Sequence, residues 1–214
     1  MALIDLFRSG GVVMWPLLLS SLAVTALILE RCFFWVKIYQ HQDRFIRQVL
    51  VLYSTQPKEA IASLRKQLQF PLARIFLAAL TLEQGTPDDF RLALESAAQA
   101  EIPMLKRFNT LFETVIATAP LLGLLGTILG LMRSFSSIRI GETTGGSAAS
   151  VTAGIGTALI STATGLLVAI ATLLFANLFL GLYRRQRVAI ESYCGQLELL
   201  YRQYYRQYLA RAGR

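Results

Sequence analysis

Histidine occurs once in this chain, at His41, and cysteine twice, at Cys32 and Cys194. One histidine leaves no Ser/His/Asp or Cys/His set for nucleophilic catalysis. The two cysteines fit no metal or redox spacing. Charge is scarce as well. Only 16% of the 214 residues are Asp, Glu, Lys or Arg, against about 25% in a soluble domain. In two stretches scarcity becomes absence: no Asp, Glu, Lys, Arg or His occurs from Thr114 to Met132, or from Thr143 to Tyr183. That excludes a carboxylate pair there, and with it acid–base catalysis. No strand-like alternation and no internal repeat is found. The first apolar run is longer than a signal-peptide core, and no small-x-small cleavage site follows it. These absences predict a chain that is not an enzyme and needs no cofactor or metal.

What is present is length without charge. Thr114–Met132 is nineteen residues bounded by Glu113 and Arg133. As a helix it covers about 29 Å, close to the hydrocarbon thickness of a bilayer. Val12–Leu29 is a second uncharged run, with Trp15 near its start and Phe33, Phe34, Trp35 and Tyr39 near its end. Those aromatics form a belt at each interface. A third run falls within Thr143–Tyr183, about Ala158–Leu182, closed by Arg184, Arg185 and Arg187. The expected fold is all-α, with three transmembrane helices and long cytoplasmic helical extensions.

The expected bounds are an outer-side segment 1–11, a first span 12–34, a cytoplasmic helical region 35–113, a second span 114–135, an outer-side loop 136–152, a third span 153–183 and a C-terminal helix 184–214. Within the cytoplasmic region, an apolar face at Phe45, Val49, Leu52 and Tyr53 predicts a helix over 41–54, and first-turn prolines at Pro57 and Pro71 predict helices over 57–68 and 71–84, broken at Gly85. A further helix from Pro87 is expected to run through Pro103, kinked, straight into the second span. Ser147 or Ser150 is expected to cap the third span. The orientation follows from basic residues. Arg31–Glu113 carries eleven Lys/Arg and Tyr183–Arg214 seven, whereas Met1–Gly11 carries one and Arg133–Thr152 two. The positive-inside rule places the first two regions in the cytoplasm, the N-terminus outside and the C-terminus inside. The net charge of +8 flanks apolar spans and makes no separate basic domain, so nucleic acid is excluded and membrane lipid is the expected neighbour. Glu30 with Arg31 reads as an interfacial ion pair, its charges reaching for the headgroups.

Small residues mark the spans. Gly123, Thr127, Gly130 and Ser134 share one helical face. Gly126 and Gly130 form a GxxxG, and Gly165 lies in the third span. Faces of this kind let helices approach closely, and subunits of a homo-oligomer are expected to pack through them. Pro120 is a candidate kink. The third span adds hydroxyls at Thr157, Ser161, Thr162, Thr164 and Thr172. Such hydroxyls commonly bond back to their own helix. Together with Thr127 they give two adjacent spans a polar, uncharged lining. The run Gly123–Thr127 has no lysine and so is not a phosphate loop.

Three stretches resemble the MotA/TolQ/ExbB proton-channel family, in order. They are GGVVMWPLLLSSLAVTALILER at Gly10–Arg31, APLLGLLGTILGLMRSF at Ala119–Phe135 and GIGTALISTATGLLVAIATLLFAN at Gly154–Asn177. Three spans resemble the ExbB and TolQ branches more than MotA, which has four, and the opening GGVVMWPLLL is most similar to ExbB. The resemblance implies five copies in a ring around the membrane helices of two ExbD-like or TolR-like subunits, with a TonB-like protein beyond. Spans two and three would line the pore, with Thr127 and Thr162 at the pore-threonine positions. Proton flow past a partner aspartate would drive work in the envelope, in ExbB the energising of TonB-dependent outer-membrane uptake. Two positions depart from the family pattern: Thr157 stands where Glu is common, and Ala171 where Pro is common. A TolQ-like role in envelope maintenance and a passive membrane scaffold are the alternatives.

Overall fold

A computed structural model describes residues 11–82, 85–136 and 146–212; the side chains at 146–151, 153, 157, 208, 211 and 212 lie outside the described set. Six helices follow in order: α1 Met14–Thr55, α2 Pro57–Arg65, α3 Pro71–Leu80, α4 Pro87–Leu105, α5 Asn109–Ser136 and α6 Gly146–Ala212. No strand occurs among the described residues. Three helical stretches are long and apolar enough to cross a membrane, within Met14–Thr55, Pro87–Ser136 and Gly154–Gln207. The expected outer-side segment 1–11 lies outside the described residues except for Gly11, as do loop residues 137–145.

The chain divides into two compact units. The first comprises residues 1–30 and 108–179, and so contains the start of α1, all of α5 and the first half of α6. Gly11, at φ 75°, turns the chain into α1, and Pro16 sits in the first turn, where its missing N–H is harmless. The core of this unit is Val13, Met14 and Leu17 against Ala119, Val168 and Ala169, with Val115 and Leu122 beside it. Phe112 and Phe179 extend it, their ring centroids 5.8 Å apart. Outside this seam the helices present bulky apolar side chains: Leu121, Leu124, Ile128, Leu167, Ile170 and Leu174 are all exposed. That pattern suits lipid or neighbouring protein rather than water.

The second unit comprises residues 31–107 and 180–214. Ile46, Val49, Leu64, Leu72, Phe76, Phe90 and Leu197 are fully buried in it. Arg74 fastens α3 to α4 through a forked pair with Glu101, Nε to Oε1 at 2.7 Å and Nη2 to Oε2 at 2.5 Å. Thr86 caps α4 in a reciprocal box with Asp89, and its hydroxyl and backbone hold that carboxyl below the usual range. The Phe90 and Tyr201 rings stack at 3.9 Å, and the Tyr201 hydroxyl donates to the Gly85 carbonyl at 2.7 Å.

Several elements differ from expectation. The helix over 41–54 is not separate: it is the continuation of α1. Between Pro16 and Pro57 the chain has no glycine or proline, so nothing interrupts the hydrogen-bond ladder. Helices α2 and α3 stop at Arg65 and Leu80, short of 68 and 84. The expected loop is shorter too, because α6 already includes Gly146–Ser150. Gly146 begins the helix, so neither Ser147 nor Ser150 precedes it as an N-cap.

The expected continuous helix through Pro103 is broken. α4 contains Pro103 but ends at Leu105, and Phe108 takes φ 69°, a left-handed conformation that closes a helix. In an unbroken helix the Met104 and Arg107 carbonyls would accept from residues four positions on. Here the Arg31 guanidinium donates to both, at 3.1 and 2.6 Å. Arg31 is only 2% exposed. It does not reach for the headgroups: it supplies donors to carbonyls that the break released, at a helix C-terminus where a cation is favoured.

Candidate ion-pathway site

Helices α5 and α6 of the first unit meet along two stripes of small residues. On α5 these are Gly123, Gly126, Gly130 and Ser134, all buried. A Cβ added at Gly123 would lie 3.0 Å from the Ser161 carbonyl oxygen and 3.0 Å from Thr162 Cα. At Gly130 it would lie 3.1 Å from the Gly154 carbonyl oxygen and 3.2 Å from Ala158 Cβ. At Gly126 it would collide with the Ser161 side chain. From the other side, a Cβ at Gly165 would lie 2.5 Å from the Ala119 carbonyl oxygen and 3.2 Å from Gly123 Cα. The partner numbers fall on α6 as they rise on α5, so the two helices run antiparallel. These small faces therefore cover each other within one chain. Ser161, Ala158 and Gly165 fill the space beside these glycines, so the contact along this seam is made within the chain.

The hydroxyls divide into two groups. Thr164 and Thr172 donate to the carbonyls of Ile160 and Val168, at 2.8 and 2.7 Å. Ser161, fully buried, donates to Ala158 at 2.8 Å, with the Gly123 carbonyl at 3.5 Å. Thr127 donates to Leu124 at 2.6 Å. These are bonds within a helix, which tie down the hydroxyl proton. Thr162 is different, because its hydroxyl crosses to the Gly123 carbonyl of α5 at 3.1 Å. Thr127 and Thr162 share no hydrogen bond, but they have the same chemistry. Each has its proton engaged by a carbonyl, which leaves the oxygen lone pairs as acceptors. An acceptor oxygen can receive the proton of a neutral carboxylic acid, a water molecule or a cation. It cannot titrate near neutral pH. The side chain of Thr157, one turn from Ser161, lies outside the described residues. α5 continues through Pro120 without a break.

Gly154 and Ala158 belong to the contact and were missed in the sequence. The signal was available: Gly154, Ala158, Ser161 and Gly165 recur at steps of four, three and four, the small-residue period already visible on α5.

The sequence profile of the MotA/TolQ/ExbB proton channel family matches residues 67–192. A Synechocystis protein named as ExbB-like biopolymer transport protein 3 is 58% identical over 199 residues, 93% of this chain and 95% of that one. A second Synechocystis protein, named ExbB-like 1, is 40% identical over 94% of this chain and 80% of its own. The biopolymer transport protein ExbB of Salmonella typhimurium is 30% identical over 78% of this chain and 71% of its own. With three helical stretches fit to span a membrane and a matched profile over more than half its length, the chain belongs to the MotA/TolQ/ExbB proton channel family.

Proposed function

We propose that this chain is the ring subunit of an inner-membrane machine that converts ion flow into mechanical work on the cell envelope, in the manner of ExbB. In this reading five copies surround the single membrane helices of an ExbD-like or TolR-like partner, and a TonB-like protein receives the work for outer-membrane transport. The N-terminus is outside and the C-terminus cytoplasmic.

One observation carries the mechanism. The α5 and α6 spans contain no Asp, Glu, Lys, Arg or His between Glu113 and Arg133, or between Glu142 and Arg184, yet they carry acceptor hydroxyls at Thr127 and Thr162. A proton channel needs a group that gains and loses a proton, and a threonine hydroxyl does not do so near neutral pH. The titrating carboxyl is therefore the partner's. Thr127 and Thr162 receive it when it is protonated and uncharged, which lowers the cost of passing it through an apolar ring. Thr157 is proposed with them as a lining position of α6, while Ser161, buried against Gly126, serves the seam. Gly123, Gly126, Gly130 and Gly165 hold α5 and α6 in register, and Pro120 supplies a local bend.

Reconstituted vesicles test this. The chain alone should carry little driven proton flux, and adding the partner should raise it. Thr127→Val together with Thr162→Val keeps shape and removes both acceptors, so coupled flux should fall while the native mass of the complex is unchanged. Equal conduction by the chain alone, or an unaffected double variant, refutes the partner-carboxyl mechanism.

A further inference from the structure

On α1, directly beyond the aromatic cluster Phe33–Trp35, lies a pocket of about 320 Å³ bounded by α1 and by the turn before α3. Lys37, His41, Arg44 and Gln48 line it from α1, spaced by four, three and four, so they share one face of the helix. Gln67 and Gln69 close the opposite wall, Gln69 Nε2 donating to Gln67 Oε1 at 2.6 Å. The Phe45 and Phe70 rings, 5.9 Å between centroids, make an apolar floor. No acidic side chain lines the pocket. The nearest carboxylate along α1, Asp43, is engaged elsewhere by Arg47 and by the Tyr193 hydroxyl. Two solvent-accessible cations, Lys37 and Arg44, with the Gln48 and Gln67 amides around one space and no carboxylate, form a receptor for an oxyanion.

We propose that this pocket binds a phosphate group, and that the phosphate is that of an anionic phospholipid headgroup. The depth selects the source. Along α1, Lys37 lies about 5 Å and His41 about 11 Å beyond Phe34. The headgroup layer is roughly 5–8 Å thick on each side of the hydrocarbon. The upper part of the pocket thus opens at headgroup level. Its apolar floor accommodates the glycerol end, and the region is the one that positive-inside reasoning places on the cytoplasmic face, where basic pockets take anionic lipids. The assignment does not rest on the ion-driven mechanism.

The test uses the full chain in its complex, reconstituted into nanodiscs of phosphatidylcholine with or without phosphatidylglycerol. After washing, retained lipid is read by native mass spectrometry. Wild type should retain phosphatidylglycerol in preference to phosphatidylcholine. Lys37→Gln with Arg44→Gln should lower that retention roughly thirtyfold, the effect of two cations close to an anionic leaflet. Lys58→Gln with Arg65→Gln removes the same charge outside the pocket and should leave retention unchanged. Equal loss in both double variants, or no preference in wild type, overturns the site. A third arm adds inorganic phosphate to discs without phosphatidylglycerol. Phosphate binding that depends on Lys37 and Arg44, with no anionic lipid retained in the other arms, overturns the lipid source.

Discussion

Gly165→Ala is the sharpest probe of the α5–α6 contact. A Cβ there would lie 2.5 Å from the Ala119 carbonyl oxygen, about 0.9 Å inside the 3.4 Å at which ordinary contact begins. The obstacle is backbone, which cannot rotate away as a side chain end can. Gly123 Cα at 3.2 Å blocks a sideways shift. The helices must part locally by most of an ångström, which loosens contacts along the whole seam, since a gap of 0.5–1 Å forfeits a quarter to a half of each dispersion well. Overpacking of this kind costs about 1–3 kcal/mol. Against it stands the better helix propensity of alanine, about 1 kcal/mol. Gly156→Ala separates the two effects, because nothing lies within 4 Å of a Cβ at Gly156. Unfolding by SDS in mixed micelles, followed by circular dichroism, measures both variants. Gly165→Ala should be less stable than Gly156→Ala by about 1–3 kcal/mol, the steric cost alone, since alanine's gain in helix propensity is common to both variants. A difference smaller than about 0.5 kcal/mol, the scatter of neutral surface changes, refutes the close approach.

Other outcomes follow from the second unit. Arg31→Met should destabilise the α4–α5 break by roughly 1–3 kcal/mol, because two part-buried carbonyls lose a charged donor; unfolding in mixed micelles checks it, and Arg31→Lys should recover only part. Burial pushes the Cys194 thiol up to about 12, and the thiolate is the reactive form. Cys194 should therefore resist iodoacetamide at pH 8 until the chain is denatured, as peptide mass spectrometry would show. Asp89 is held below its ordinary value by Thr86, so the stability it contributes is present above the unfolded carboxylate value and is lost as pH falls through the folded one. Thr86→Ala should remove that acid-dependent component, flattening the melting temperature between about pH 5 and pH 3.

The three spans were legible because charge is absent over lengths that only a bilayer demands, as between Glu113 and Arg133. The small face of α5 was legible because glycine repeats at helical spacing in an otherwise bulky run. Its occupant was not, since a stripe of small residues has the same pattern whether it meets its own chain or another. Val49 and Tyr53, on the apolar face expected over 41–54, are both buried, as helical spacing of apolar residues predicts. The break at Phe108 left no turn residue in the sequence. The carbonyls it frees are met by a long-range partner, Arg31, seventy-odd positions earlier, and no local pattern announces such a bond. For the candidate site, the residue types were readable, but the direction of each hydroxyl was not: only the fold shows that Thr162 reaches Gly123 while Thr127 turns back to Leu124.

The mutual burial of the two small stripes has a bearing on biogenesis. α5 and α6 are consecutive in the chain, antiparallel, and complementary to each other. A newly inserted polypeptide can close this pair by itself, before any second copy arrives in the membrane. In the proposed ring, association between copies would then be left to the leucine- and isoleucine-rich outer faces, which resemble lipid in polarity and are distinguished from it by shape alone. Folding and assembly thus become separate stages. In that ring a chain with a defective seam would fail before it enters the complex, so lesions at Gly126 or Gly165 should act as recessive losses rather than as poisoned assemblies.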